Sequence, residues 1–159
     1  MPAIELTTEI SAPINICFDL ARSIDLHMIS TAKTEERTID GKVSGLIALN
    51  DWVTWEAVHL GVKQKLTSRI TAYERPLYFV DEQVKGAFKS IYHEHRFEAV
   101  ADKVIMKDYF TFQSPFGIFG QLFNRLYLTK YLKQFLIERN AVIKEYAETG
   151  KWKLILNGR

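Results

Sequence analysis

The stretch FKSIYHEHRFEAVADKVIMKDYFTFQ, residues 88–113, decides the fold. Two alternating runs, Phe88 to Val100 and Lys103 to Gln113, flank Ala101-Asp102 in the manner of a long antiparallel hairpin. Successive strand side chains point to opposite faces, so Ile91, His93, His95 and Phe97 share one face and Tyr92, Glu94 and Arg96 the other. In the second run Met106, Asp108, Phe110 and Phe112 lie on one face, opposite Lys107. The apolar members assign the first set of each run to the interior, and with them two histidines and an aspartate.

Upstream the same texture continues back to Thr34. Leu77 to Lys85 reads as a strand with Phe79, Asp81 and Gln83 inward, bounded by Arg75-Pro76 and Gly86. Val62 to Tyr73 places Lys63, Lys65, Thr67, Arg69 and Thr71 on a wet face and Gln64, Leu66, Ser68 and Ile70 on the other. Asp51 to Leu60 contributes Val53, Trp55, Ala57 and His59 to the interior, with Gly61 as the turn. Thr34 to Asp40 is a polar strand and Gly41 to Asn50 a loop. Before the meander, Ala3 to Ile10 alternates as an edge strand. Ile14, Cys17, Phe18 and Ala21 then give Pro13 to Arg22 a helical stripe. Ser23 is placed to cap a second helix, Ile24 to Ser30, with Asp25 in its first turn. Cys17 reads as a small core residue, and His27 as a surface residue.

Downstream, Ser114 to Gly120 breaks the alternation, and Leu122, Leu126, Leu132, Phe135, Leu136, Val142, Ile143 and Tyr146 trace a helix that stops before Gly150. A helix from Gly120 to Ala147 is about 40 Å long at 1.5 Å per residue. The strand Val62 to Tyr73 reaches about the same length at 3.3 Å per residue. Elements of matching length predict an α+β fold: a strongly curved antiparallel sheet of about seven strands wrapped round a long C-terminal helix, with two short helices after the first strand. Residues 1–150 form one expected domain and 151–159 a tail. The apolar Trp152 to Leu156 is expected to dock on the domain or on a second copy of the chain, which leaves a homodimer open.

Hydrophobic residues make up 47% of the 159, enough for a core without cross-links, and the single cysteine excludes an internal disulfide. A reducing, cytoplasmic setting fits. With a formal net charge of only +2, nothing demands nucleic acid as a partner. No uncharged apolar run approaches the roughly 20 residues of a membrane span, so no stable insertion is expected.

The order strand, two short helices, six-stranded meander and long helix resembles the START-like helix-grip fold of the SRPBCC superfamily, which includes the birch pollen allergens. The resemblance covers nearly the whole chain, from Ile10-Ser11-Ala12-Pro13 onward. Asp81 to Phe88, His93 to Phe97, Lys107-Asp108, Ser114-Pro115-Phe116-Gly117 and Glu138-Arg139 look like a group of poorly characterised bacterial members, some labelled ligand-binding and others relatives of cell-division inhibitors. Ala87 departs from that pattern, where proline more usually follows the glycine. The resemblance implies a cavity between sheet and helix but no particular chemistry, because this fold hosts lipid carriers, hormone receptors, cyclases and oxygenase domains.

The inward polar residues are His59, Gln64, Ser68, Asp81, Gln83, His93, His95 and Asp108, joined by Arg139 from the apolar stripe of the helix. Leaving one such group buried without a partner costs about 1–3 kcal/mol, so this set must be networked, hydrated or bound to something. Three readings compete. Arg139 paired with Asp108 or Asp81 can pin the helix to the sheet; the cluster can orient a ligand in a largely apolar pocket; or His93 and His95 can hold a metal. Spacing dictates no third metal ligand, and no metal or other cofactor is expected. The expected ligand-binding residues are Trp55, His59, Asp81, Gln83, His93, His95, Asp108, Phe110 and Arg139. Neither a serine nucleophile elbow, a phosphate-binding glycine loop nor HExxH is present, so no enzyme activity is required. The expected role is binding or transport of a hydrophobic or amphipathic small molecule. The alternative is a cofactor-independent cyclase, hydrolase or isomerase using a His/Asp pair. Phe116, Ile118 and Phe119 read equally as a mobile gate or as an apolar plug at the helix start.

Overall fold

A computed structural model describes residues 1–115 and 117–157. Strand β1 (Ala3–Ile10) leads into helices α1 (Ile14–Ala21) and α2 (Ile24–Ser30) and a 3-10 turn at Ala32–Thr34. The meander follows as β2 (Arg37–Gly41), β3 (Trp52–His59), β4 (Val62–Glu74), β5 (Tyr78–Gly86), β6 (Ser90–Val100) and β7 (Lys103–Gln113). The strands form one antiparallel sheet in the order β1-β7-β6-β5-β4-β3-β2, so β1 closes against the far end of the meander. This is the curved seven-stranded sheet of a helix-grip fold.

Local chemistry explains the elements. Ser23 Oγ accepts from the Leu26 amide at 3.1 Å, capping α2, while Asp25 lies in that helix's first turn. Leu60 and Gly61 both take left-handed backbone angles, φ 54° and 76°, in the two-residue turn joining β3 to β4. Register shifts between β4 and β5 still leave Ser68 opposite Gln83 and Ile70 opposite Asp81.

The C-terminal helix begins earlier than its stripe suggests. Helix α3 (Gly117–Phe123) continues through a wider π-type turn at Asn124–Leu128 into α4 (Thr129–Glu148). The buried residues of α4 are Leu136, Arg139, Asn140, Ile143 and Ala147, the face gripped by the sheet. The tail is not free: Trp152–Leu156 forms α5, which packs on α1 and buries Ile155, with Trp152 and Leu156 against the same core. Only Leu154 of its apolar residues is largely exposed.

The interior has two apolar clusters. One gathers Phe18, Phe79, Phe97, Met106 and Ile143 under α1 and the end of α4. The other joins Ile4, Phe110, Phe112, Leu128 and Leu136 near the start of α4. A polar layer of His93, His95, Asp108, Arg139 and Asn140 separates them.

Candidate functional site

Register builds the polar layer. His95 stands opposite Asp108 across β6 and β7, and Asp81 opposite His93 across β5 and β6, so three strands deliver their inward polar residues to one patch. Asp108 is its centre. His93 Nε2 lies 2.8 Å from Asp108 Oδ1, and Asn140 Nδ2 donates to Asp108 Oδ2 at 2.6 Å. His95 Nδ1 is 3.0 Å from the same Oδ1 but off the axis of a hydrogen bond, and it lacks a bonded partner. Burial works to raise the Asp108 carboxyl, but hydrogen bonding from His93 leads the effects that hold it well below the usual carboxylate range. His95 is driven the other way. Its burial, reinforced by the charge of His93, holds it well below the usual histidine value, so it is neutral at pH 7.

Arg139 is placed differently from the sequence expectation. Its Nη2 donates to the Ala21 carbonyl at 3.0 Å and its Nη1 to Asn140 Oδ1 at 3.1 Å, whereas the approach to Asp108 is a long 3.9 Å. The residue that joins helix to carboxylate is Asn140, which sequence reasoning missed. A signal existed: Leu136, Asn140, Ile143 and Ala147 recur at i, i+4, i+7 and i+11, so Asn140 fills a core position of the stripe.

Above this layer, between sheet and helix, lies a cavity of about 160 Å³. Trp55, His59, Asp81, Gln83, His93, His95, Phe110 and Arg139 line it; Asp108 does not, being set behind the two histidines. Of the further inward polar residues, Ser68 also lines it, while Gln64 faces a smaller hollow beside it. His59 Nδ1 is 2.9 Å from the Tyr131 hydroxyl, and Gln83 Nε2 donates to the Phe88 carbonyl at 2.7 Å. The His95 ring stacks on Phe79 with centroids 4.2 Å apart.

His27 is a correction. It lines the cavity rather than the surface, with its ring 4.4 Å from that of Trp55 and its Nε2 3.0 Å from Glu36 Oε1. Helix α2 folds down over β3, so a face that is outer in an isolated helix becomes a wall. Glu36, also unforeseen, is a lining residue; burial tends to raise its carboxyl, but the charge of His27 and the hydrogen bond to it prevail and lower it. No periodicity marks Glu36, which lies in the irregular link between the 3-10 turn and β2. Ile118 and Phe119 are neither plug nor cavity wall: they are 82% and 85% exposed. Phe116 falls outside the described residues.

His93, His95 and Asp108 each offer a ligand atom within 4.8 Å of the others, close enough for a metal. The carboxylate is nevertheless already engaged by His93 and Asn140, with the Arg139 cation near the same Oδ1. A metal would have to displace these donors and sit beside a guanidinium, so the cluster fits a hydrogen-bonded network better.

The geometry defines a helix-grip fold with a polar-floored cavity. No protein-family model matches the chain, and no curated protein matches it by sequence. Solved structures do. The chain is similar to TTHA0849 from Thermus thermophilus, with a TM-score of 0.75 at 16% identity over 92% of this chain and 97% of that one. Ginseng major latex-like protein 151 from Panax ginseng superposes with a TM-score of 0.69 at 15% identity, covering 93% and 98%. Ara h 8.0201 does so with a TM-score of 0.65 at 13% identity, covering 92% and 97%. At these identities the likeness establishes the fold and does not bear on the cell-division grouping. Among the described residues no helix is long and apolar enough to cross a membrane.

Proposed function

We propose that this protein binds a compact hydrophobic or amphipathic small molecule in the cavity between sheet and α4. One observation carries the reading. Among the described residues five buried side-chain atoms lack a hydrogen-bond partner: Glu36 Oε2, Ser68 Oγ, Asp81 Oδ1, Gln83 Oε1 and His95 Nδ1. All five belong to residues lining this one cavity. Each unpartnered group costs about 1–3 kcal/mol, and their gathering at one place fits a site whose occupant supplies the missing bonds. Trp55, Phe110 and Phe135 provide apolar wall, and a few placed polar groups orient the guest. The volume of about 160 Å³ favours a molecule of roughly one aromatic ring over a long lipid chain, since pockets for larger ligands commonly span about 300–1,000 Å³.

Native mass spectrometry of the purified protein, with metal analysis, tests this. A bound organic mass released on denaturation is the expected result. Stoichiometric zinc would replace the reading with a metal centre, and an interior that neither retains nor takes up any small molecule would end it.

A second reading rests on His93, which lines the cavity while Asp108 holds its Nε2, the orienting arrangement of a general base. This would serve a cofactor-independent cyclase, hydrolase or isomerase. It requires that His93→Ala combined with Asp108→Asn abolish turnover of a ligand that still binds; under the binding reading the pair alters affinity or stability and there is no turnover to lose.

A further inference from the structure

The unmet groups of the cavity are not a balanced set. A carboxylate and the oxygen of a glutamine accept hydrogen bonds and cannot donate them, so Glu36 Oε2, Asp81 Oδ1 and Gln83 Oε1 are pure acceptors at neutral pH when the acids are ionised. The Ser68 hydroxyl can serve either way. The charged donors, by contrast, already hold protein partners. Of the lining arginines among the described residues, Arg139 donates to Ala21 and Asn140, and Arg22 to Asp19 and the Ile47 carbonyl. The side-chain NH₂ of Gln83 is used on Phe88, and among the described residues no lysine lines the cavity.

Asp81 is the focus of this imbalance. Its Oδ1 is buried without a hydrogen-bond partner among the described residues. Register places Ser68 and Gln83 on the adjacent inward pair of β4 and β5, one step along from Ile70 and Asp81, with His93 beside Asp81 on β6. Ser68 is only 4% exposed, so its hydroxyl has no recourse to bulk water. An acceptor cluster with the unpartnered Asp81 Oδ1 at its centre, walled by Trp55 and Phe110, complements a compact aromatic molecule bearing a hydrogen-bond-donating cationic group.

We propose that the ligand is a small aromatic amine, its ammonium seated on Asp81 with Ser68 and Gln83 completing its hydrogen bonds, and its ring against Trp55 and Phe110. This rests on the ligand-binding reading and deepens it. A carboxylate or phosphate ligand is disfavoured because it would find acceptors where it needs donors. Independently, burial raises the Asp81 carboxyl, as expected for an acid awaiting a counter-charge; Ser68, then His93, His27 and Arg139 oppose that rise.

The test is isothermal titration of the full chain at pH 7.5 with four phenyl-bearing probes of about 8 to 11 heavy atoms: phenethylamine, 2-phenylethanol, 3-phenylpropanoate and ethylbenzene. Phenethylamine is expected to bind at least tenfold more tightly than 2-phenylethanol, with 3-phenylpropanoate weakest. In Asp81→Asn the amine should lose at least tenfold and the alcohol less than threefold. If that variant does not fold, Ser68→Ala should cost the amine about threefold and ethylbenzene nothing. Equal or tighter binding of the alcohol or the carboxylate overturns the amine assignment and leaves the binding reading standing. Binding by none of the four overturns the amine assignment, and a bound organic mass in the native mass spectrum then decides separately whether the binding reading stands.

Discussion

The two ends of the interior share the same strands and the same helix, yet they are built as opposite materials. At the closed end, Phe18 meets Tyr73, Phe79 and Phe97 edge-on, with ring centroids 5.5, 5.4 and 5.3 Å away, inside an apolar cluster. One inward position along β6, about 7 Å, the material changes. His95 and His93 replace phenylalanine, Asp108 replaces methionine on β7, and the space above them is a cavity bordered by unpartnered oxygens. Phe79 belongs to both ends, packing on Phe18 and stacking on His95. The closed end is optimised for density and holds the fold. The open end leaves buried polar atoms unmatched, the feature on which the proposed binding function rests.

That contrast can be broken by substitution. Phe18→Ala, in the closed end, should cost about 4 kcal/mol of unfolding free energy, because it leaves a cavity among fixed rings. Urea denaturation measures it, and a loss under about 1 kcal/mol would mean that this end is loosely packed. Asp108→Asn should cost about 3 kcal/mol, since it removes the charge that His93 and Arg139 face and puts an amide opposite the Asn140 donor. A neutral result would show that the polar layer is not a network.

Acid should act on the polar layer selectively. His95 is neutral when folded and titrates at its ordinary value of about 6.5 when unfolded. Below that value the unfolded chain gains a proton that the native state refuses, so stability falls with pH by up to about 1.4 kcal/mol per unit from this group. His59, also held low chiefly by burial, adds in the same direction. Asp108 contributes stability above the unfolded carboxylate range that is lost later, as pH falls through its lower folded value. Denaturation midpoints between about pH 8 and 5 should decline from about pH 6.5, less steeply in His95→Gln; a flat profile would refute a neutral buried His95.

The smallest effect is the most telling. Ser68→Ala and Asp81→Asn should leave thermal stability within about 1 kcal/mol of wild type, or raise it, because the first removes an unmet buried hydroxyl and the second a buried charge. For Asp81 the gain should grow with pH above the unfolded carboxyl range, since the raised native value means that ionisation there opposes folding. A loss of several kcal/mol in either variant would show that these groups are structural partners.

Much of this architecture was legible in the chain. Period-two alternation from Asp51 to Gln113 assigned nearly every inward residue, because a pleated strand leaves its side chains only two directions. That periodicity alone puts His93, His95, Asp81, Gln83, Trp55 and Phe110 on the inward face. Helical periodicity likewise put Arg139 inside. What it could not supply was the partner of each group: pairing of Arg139 with Asp108 or Asp81 was one of three readings, and the guanidinium keeps only a long 3.9 Å ion pair to Asp108 while donating its hydrogen bonds to the Ala21 carbonyl and Asn140, because the approach of α1 to α4 is a tertiary event.

His27 and Glu36 mark the other limit. Neither lies on a pattern that marks it as inward, and they become cavity walls only when α2 and the link after it fold over β3. Sequence alone determined which side of each strand faces inward, since that follows from bond geometry one residue at a time. The tertiary structure decided which hydrogen bonds close and which stay open, because that depends on distances of a few tenths of an ångström between segments far apart in the chain.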